Sequence, residues 1–176
     1  MQSANVLPTV AEVLALDPVR SGGPRVLAAA NRLGTPVRWV HVIELAQPAH
    51  LLRGGEMVLS TGIALPHDAA GLAAYVAELA FVGVSALAVE LGSRYERSLP
   101  PAMVAAAAAH QLPLIVFERE TQFIEITEAV HARIIDAQLV ELARPSGCTR
   151  SSPSSRCPAP PPMRSWRRPP RWPAAQ

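Results

Sequence analysis

Lysine is missing altogether: all sixteen basic residues are arginine, which points to GC-rich coding rather than to a surface shaped for nucleic acid, since lysine neutralises phosphate equally well. Cysteine is nearly missing, and both copies, Cys148 and Cys157, lie near the end, so residues 1–142 can form neither a disulfide nor a cysteine-ligated metal site. No stretch approaches the eighteen consecutive apolar residues of a membrane helix, and the opening MQSANVLPTVAEVLAL has neither a basic lead nor a long apolar run. A cytoplasmic protein with no membrane partner is expected. A nucleophile elbow, a phosphate loop, a dinucleotide fingerprint and a zinc motif are all lacking, so no catalytic residues, cofactor or metal are assigned.

Acid is missing from one part only. Residues 1–142 hold nine Arg against fourteen Asp and Glu, a balance of −5, whereas residues 143–176 hold seven Arg and no acid. That final segment also carries nine of the eighteen prolines and has no hydrophobic periodicity, which predicts a disordered tail. Its Arg and Trp mixture leaves nucleic-acid binding by charge and stacking open. The abrupt break within a helix-compatible stretch favours an out-of-frame or aberrant terminus. Two segments are therefore expected, a domain over 1–142 and a Pro/Arg-rich tail over 143–176.

What remains is apolar enough for a core, with 49% hydrophobic residues. Thr9 and Glu12 have capping-box spacing, predicting a helix from about 9 to 16 that Asp17-Pro18 stops, with a loop at Ser21 to Pro24. Val26 to Ala30 reads as a short strand and Val37 to Ile43 as a buried β-branched one. His41 on that strand has no second ligand at metal spacing and reads as a packing residue. Gln47 to Leu52 reads as a helical turn, followed by a strand at Met57-Val58-Leu59. Asp68 caps a helix whose apolar face is Leu72, Tyr75, Val76, Leu79 and Val82, ending at Gly83. A strand at Ser85 to Leu91, an Ala-rich helix from Pro100-Pro101 to about His110 and a strand at Leu114 to Phe117 follow.

This alternation predicts an α/β fold: a mostly parallel sheet of βαβ units with flanking helices. A long C-terminal helix over 123–142 completes it, with Phe123, Ile126, Val130, Ile134 and Ala137 on one face and Ile124, Ile135, Leu139 and Leu142 on another. The second face either meets a partner helix or joins one broad core.

The stretch Leu52 to Gly62, LRGGEMVLSTG, is the candidate site. Gly54 and Gly55 permit backbone angles closed to other residues, Arg53 and Glu56 flank them with opposite charges, and Ser60-Thr61-Gly62 leaves the strand. In parallel sheets ligands lie beyond the carboxyl ends of the strands, where Ser60-Thr61-Gly62 and Gly92-Ser93-Arg94 are expected. The plain alternative is a tight surface turn entering a buried strand.

The blocks Val37 to Leu45, Leu52 to Gly62, Leu112 to Phe117 and Phe123 to Val130, in that order and spacing, resemble the N-terminal domain of PucR-type purine catabolism regulators over roughly residues 7–140. The resemblance implies the sensory part of a cytoplasmic bacterial transcription regulator whose DNA-binding helix-turn-helix lies at the far C-terminus of a longer chain. It thus implies a sensor truncated before its output domain, with no direct DNA binding expected from this chain. Glu44, Arg53, Gly54, Gly55, Glu56, Ser60, Thr61 and Gly62 are the positions carried over as candidate ligand contacts. In that reading Arg53 pairs an anionic or carbonyl group of a purine or its breakdown product, and Ser60 or Thr61 bonds a polar edge. A homodimer through the 123–142 helix would pass the signal on. The competing readings are a pure oligomerisation or interaction module, and an enzyme using Glu44, Glu56, Glu90 and His41.

Overall fold

The computed structural model describes residues 7–142, and the tail expected at 143–176 lies outside them. The capping box forms as its spacing requires: the Thr9 and Glu12 side chains each bond the other's backbone amide, opening α1 (Val10–Leu14). The helix is shorter than expected, and the stop at Asp17-Pro18 becomes a start. Proline fits the first turn of a helix, where its missing N–H bonds nothing, and α2 (Asp17–Ser21) begins there.

Five strands follow: β1 (Pro24–Ala28), β2 (Trp39–Val42), β3 (Glu56–Ser60), β4 (Ala86–Glu90) and β5 (Leu114–Phe117). They form one sheet in the order β1-β5-β4-β3-β2. The pairs β2–β3, β3–β4 and β4–β5 are parallel, while β1 runs antiparallel to β5. The crossovers between β3, β4 and β5 are α3 (Ala69–Val82) and α4 (Pro101–Ala109), and α5 (Phe123–Leu142) closes the described chain. A 3-10 turn, Ala49–Leu51, occupies the link from β2 to β3.

The order of the parallel strands explains the layering. From β2 to β5 each strand is added on the same side of the last, so right-handed crossovers put α3 and α4 on one face. There Leu72, Tyr75, Leu79 and Met103 pack on Val58, Leu87, Val89 and Val116. The opposite face stays free for α1, α2 and α5, which cover Met57, Leu59, Ala88, Ile115 and Phe117 with Val10, Val13, Val19, Ile126, Val130 and Ile134. β3, β4 and β5 are buried throughout, each fully buried Leu or Ile contributing about 1.5–3 kcal/mol.

The strand expected to be buried at Val37–Ile43 is instead the sheet's outer strand, with Val40 buried but Trp39 and Val42 exposed. Its β-branched pattern reports half-burial against a single neighbour, which a run of apolar residues does not distinguish from a central position. On α5 the two apolar faces separate: Ile126, Val130 and Ile134 are buried, while Ile124, Ile135 and Leu139 are exposed.

Candidate functional site

The candidate residues divide between the two ends of β3. Arg53, Gly54, Gly55 and Glu56 stand at its amino end, while Ser60, Thr61 and Gly62 leave its carboxyl end, where Glu44 joins them from the end of β2. Four residue steps of strand separate Glu56 from Ser60 by about 13 Å, too far for one small ligand to be held by both sets.

At the carboxyl end the groups satisfy one another. Ser60 Oγ donates to Glu44 Oε2 at 3.1 Å, the Thr61 amide donates to Glu44 Oε1, and the Gly62 amide donates to Ser60 Oγ at 2.9 Å. Arg94 reaches over from the β4 side and donates to the carbonyl oxygens of Gly62, Ile63, Leu65 and Pro66, clamping the loop that leads to α3. Gly62 has φ +83°, and a Cβ there would stand 3.0 Å from the Tyr95 ring. The crevice expected at this end opens where strand order reverses. The order of these four parallel strands never reverses. Tyr75, buried on α3, has its phenol pushed up by burial and by the Glu44 carboxylate, so it stays neutral.

At the amino end the glycine pair serves packing. Gly54 has φ +88°, and a Cβ there would meet the Val82 carbonyl oxygen at 2.7 Å, while the Gly55 amide donates to the Gly83 carbonyl at 2.7 Å. The turn thus rests on the C-terminus of α3, whose left-handed cap is Gly83. This fixes the start of β3 and the position of Glu56.

Glu56 is only 3% exposed. Its Oε1 accepts from Arg38 Nη2 at 2.9 Å and from the Arg53 amide at 3.1 Å, whereas its Oε2 has no hydrogen-bond partner among the described residues. A buried carboxylate oxygen without a protein donor is costly, and such an oxygen takes its donor from water, an ion or a ligand. Beside it opens a cavity of about 360 Å³ lined by Arg38, Trp39, His41, Leu51, Arg53 and Glu56. The volume is within the range of small-molecule sites. A second cavity of about 250 Å³ continues along β2 past His41 and Leu51 to Glu44 and Leu45. The groove along β2 therefore has arginine at one end and a carboxylate at the other. A wider depression of about 490 Å³ beside Phe81 is lined mainly by apolar groups and lies away from both clusters.

Trp39 links the cavity to α5. Its ring stacks on that of His131, centroids 3.9 Å apart and planes 28° from parallel. Burial holds His131 below the ordinary histidine pKa, the nearby His41 adding to this against a hydrogen bond involving the Val40 backbone. The ring stays neutral at physiological pH.

Sequence reasoning placed Arg53 and Glu56 together but missed Arg38, Trp39 and Leu51, which the parallel pairing of β2 with β3 brings to them. The available signal was Arg38-Trp39, a charge and an indole opening an otherwise aliphatic strand. No group of three or more possible metal ligands occurs among the described residues, and no described helix is long and apolar enough to cross a membrane.

Fold and geometry together define a three-layer α/β domain whose polar groups gather at the two ends of its third strand. The chain belongs to the Purine catabolism regulatory protein-like family, which matches residues 12–134. Transcriptional activator PmfR of Paenarthrobacter nicotinovorans is 28% identical over 128 residues, 71% of this chain and 26% of that protein. The chain thus spans about a quarter of the length of that curated relative. The crystal structure of the CBS and DRTGG domains of the regulatory region of Clostridium perfringens pyrophosphatase, complexed with its activator diadenosine tetraphosphate, aligns with a TM-score of 0.43 at 15% identity, over 78% of this chain and 52% of that one.

Proposed function

We propose that residues 7–142 form the ligand-sensing domain of a cytoplasmic transcription regulator, and that the ligand is a planar, polar metabolite of the purine type or one of its breakdown products. The observation that carries this reading is Glu56: a buried carboxylate with one oxygen unpartnered, at the wall of a cavity that also holds an indole and two guanidinium groups. A purine base or oxidised purine offers N–H donors for Glu56 Oε2, carbonyl or enolate oxygens for Arg53, and a flat face for Trp39. Arg53 is exposed and has no carboxylate within ion-pair distance among the described residues, so its donors are available. Of the eight candidate positions, Arg53 and Glu56 carry ligand contacts. Gly54 and Gly55 position them, while Glu44, Ser60, Thr61 and Gly62 hold the far end of β3.

The domain acts by binding rather than by catalysis. Glu44 is held by the Ser60 hydroxyl and the Thr61 amide, and Glu90 Oε2 accepts from the Thr121 amide at 2.8 Å, so both serve as structural acceptors, while Glu56 keeps one oxygen for a ligand. Ligand in the cavity changes the packing of Trp39, and Trp39 touches α5 through His131, which gives the site a contact with the last described helix. No DNA contact is assigned to these residues.

Isothermal titration of the folded chain with urate, hypoxanthine and allantoin tests the reading. Binding of a planar purine that Arg53→Ala and Glu56→Gln each weaken at least tenfold, about 1.4 kcal/mol, supports it. No binding by any of the three to a folded protein counts against the sensor and favours an interaction module.

A further inference from the structure

The two edges of the sheet are treated differently. β1 opens with Pro24, carries a register shift between Val26 and Ala28, and is pinned by an Arg25–Glu118 ion pair at 2.6 Å, all features that keep an edge from pairing with another strand. β2, at the other edge, has no proline, no bulge and no formal charge between Trp39 and Val42. Its backbone edge is open among the described residues. Exposed apolar side chains crowd it: Trp39, Val42, Leu45 and Leu51.

The exposed face of α5 meets this edge. Ile124, Glu128, His131, Ile135 and Leu139 follow one another at three- and four-residue steps, and His131 is the residue stacked on Trp39. Edge strand and helix stripe form one surface. The surface is also electrically polar: Arg53, with no carboxylate in ion-pair distance among the described residues, stands near the start of β2 beside the Arg38–Glu56 pair, and Glu44 stands at its end.

We infer that this surface pairs with a second copy of the same chain, β2 against β2 in antiparallel register across a two-fold axis, joining two five-stranded sheets into one of ten strands. Two-fold symmetry makes a polar edge complementary to itself, because each Arg38 end meets the partner's Glu44 end. The register that sets position 38 opposite position 44 also sets Val40 opposite Val42 and His41 opposite its own mate. An axis perpendicular to the sheet keeps both α5 helices on the same face, side by side. A strand pair of four residues falls short of the roughly 800 Å² per partner of a standard interface, and the Ile124–Ile135–Leu139 stripe supplies the remainder. The inference stands without the ligand proposal, since its surface is complete in the free protein.

Sedimentation of the full chain, without ligand, is the test. The expected result is a dimer at micromolar concentration that Val42→Lys converts to monomer and Ile135→Glu weakens, both variants keeping the far-ultraviolet circular dichroism of the parent because both side chains are half exposed. In a Cys148→Ser, Cys157→Ser background, His41→Cys is expected to give a disulfide-linked dimer on mild oxidation, and Glu78→Cys on α3 is not. A monomeric chain overturns the inference, as does a dimer indifferent to Val42→Lys or one in which His41→Cys fails to cross-link. Purine binding measured on the same Val42→Lys monomer separates failure of this interface from failure of the sensor.

Discussion

Arg38 Nη2 donates to Glu56 Oε1 across 2.9 Å, tying the residue before β2 to the first residue of β3 with one partner half exposed and the other buried. Water still reaches Arg38, so the pair is not a fully desolvated one, and the charged hydrogen bonds to Glu56 are each in the range of about 1.5–3 kcal/mol. Glu56→Ala is expected to lower the unfolding free energy by about that amount, since it strips acceptors from both Arg38 and the Arg53 amide. Glu56→Gln, which keeps the shape, should cost less stability yet still weaken purine binding. Urea denaturation of the two variants beside titration calorimetry separates the two roles, and equal effects of both variants on both readouts would sink the assignment.

Gly54 stands where a side chain has no room. Gly54→Ala forces a left-handed conformation costing about 1–2 kcal/mol and drives a methyl group into the Val82 carbonyl, so the loss of stability should exceed that figure. Gly34, which has open space around it, is the control, and Gly34→Ala should be near neutral by thermal melting.

Arg94 is predicted to control the loop rather than the fold. Its guanidinium spreads over four carbonyl oxygens between Gly62 and Pro66, a fan that one ammonium group cannot reproduce. Arg94→Ala and Arg94→Lys should both raise amide exchange in residues 62–67 while β3 and β4 remain protected. Unchanged exchange in that loop would show the clamp to be dispensable.

The depressed pKa of His131 sets a pH dependence. Because the folded state binds the proton more weakly than the unfolded chain, the contribution is fully present above the unfolded value of about 6.5 and is lost as pH falls from there through the lower folded value. Denaturant midpoints should therefore drop between pH 7.5 and 5.5, and His131→Phe should flatten that drop while keeping the stack on Trp39. The lowered carboxylates of Glu12 and Asp68, each bonded to backbone amides at a helix start, act in a separate window: their contribution fades only below the ordinary carboxylate range near pH 4.

Much of this was legible along the chain because its causes are local. The Thr9–Glu12 box, the Asp68 cap accepting from the Gly71 amide and the Gly83 terminus each arise from residues within one helical turn of one another. The two faces of α5 follow from a 3.6-residue period alone. The alternation of apolar strands with helices was enough for a mostly parallel α/β sheet, and Arg53-Gly-Gly-Glu56 was visible as a turn with charge of both signs.

What the tertiary structure decided depends on pairings between distant segments. Only the strand pairing and order showed β1 to be antiparallel and β2 to be an edge. The pairing of β2 with β3 brought Arg38 and Trp39 beside Arg53 and Glu56. Residues close in sequence, at 56 and 60, ended at opposite ends of a strand, while residues at 38 and 56 came into contact. The reason is geometric: an extended strand carries neighbours apart by about 3.3 Å per residue, and lateral register, which no local pattern encodes, chooses what each of them meets.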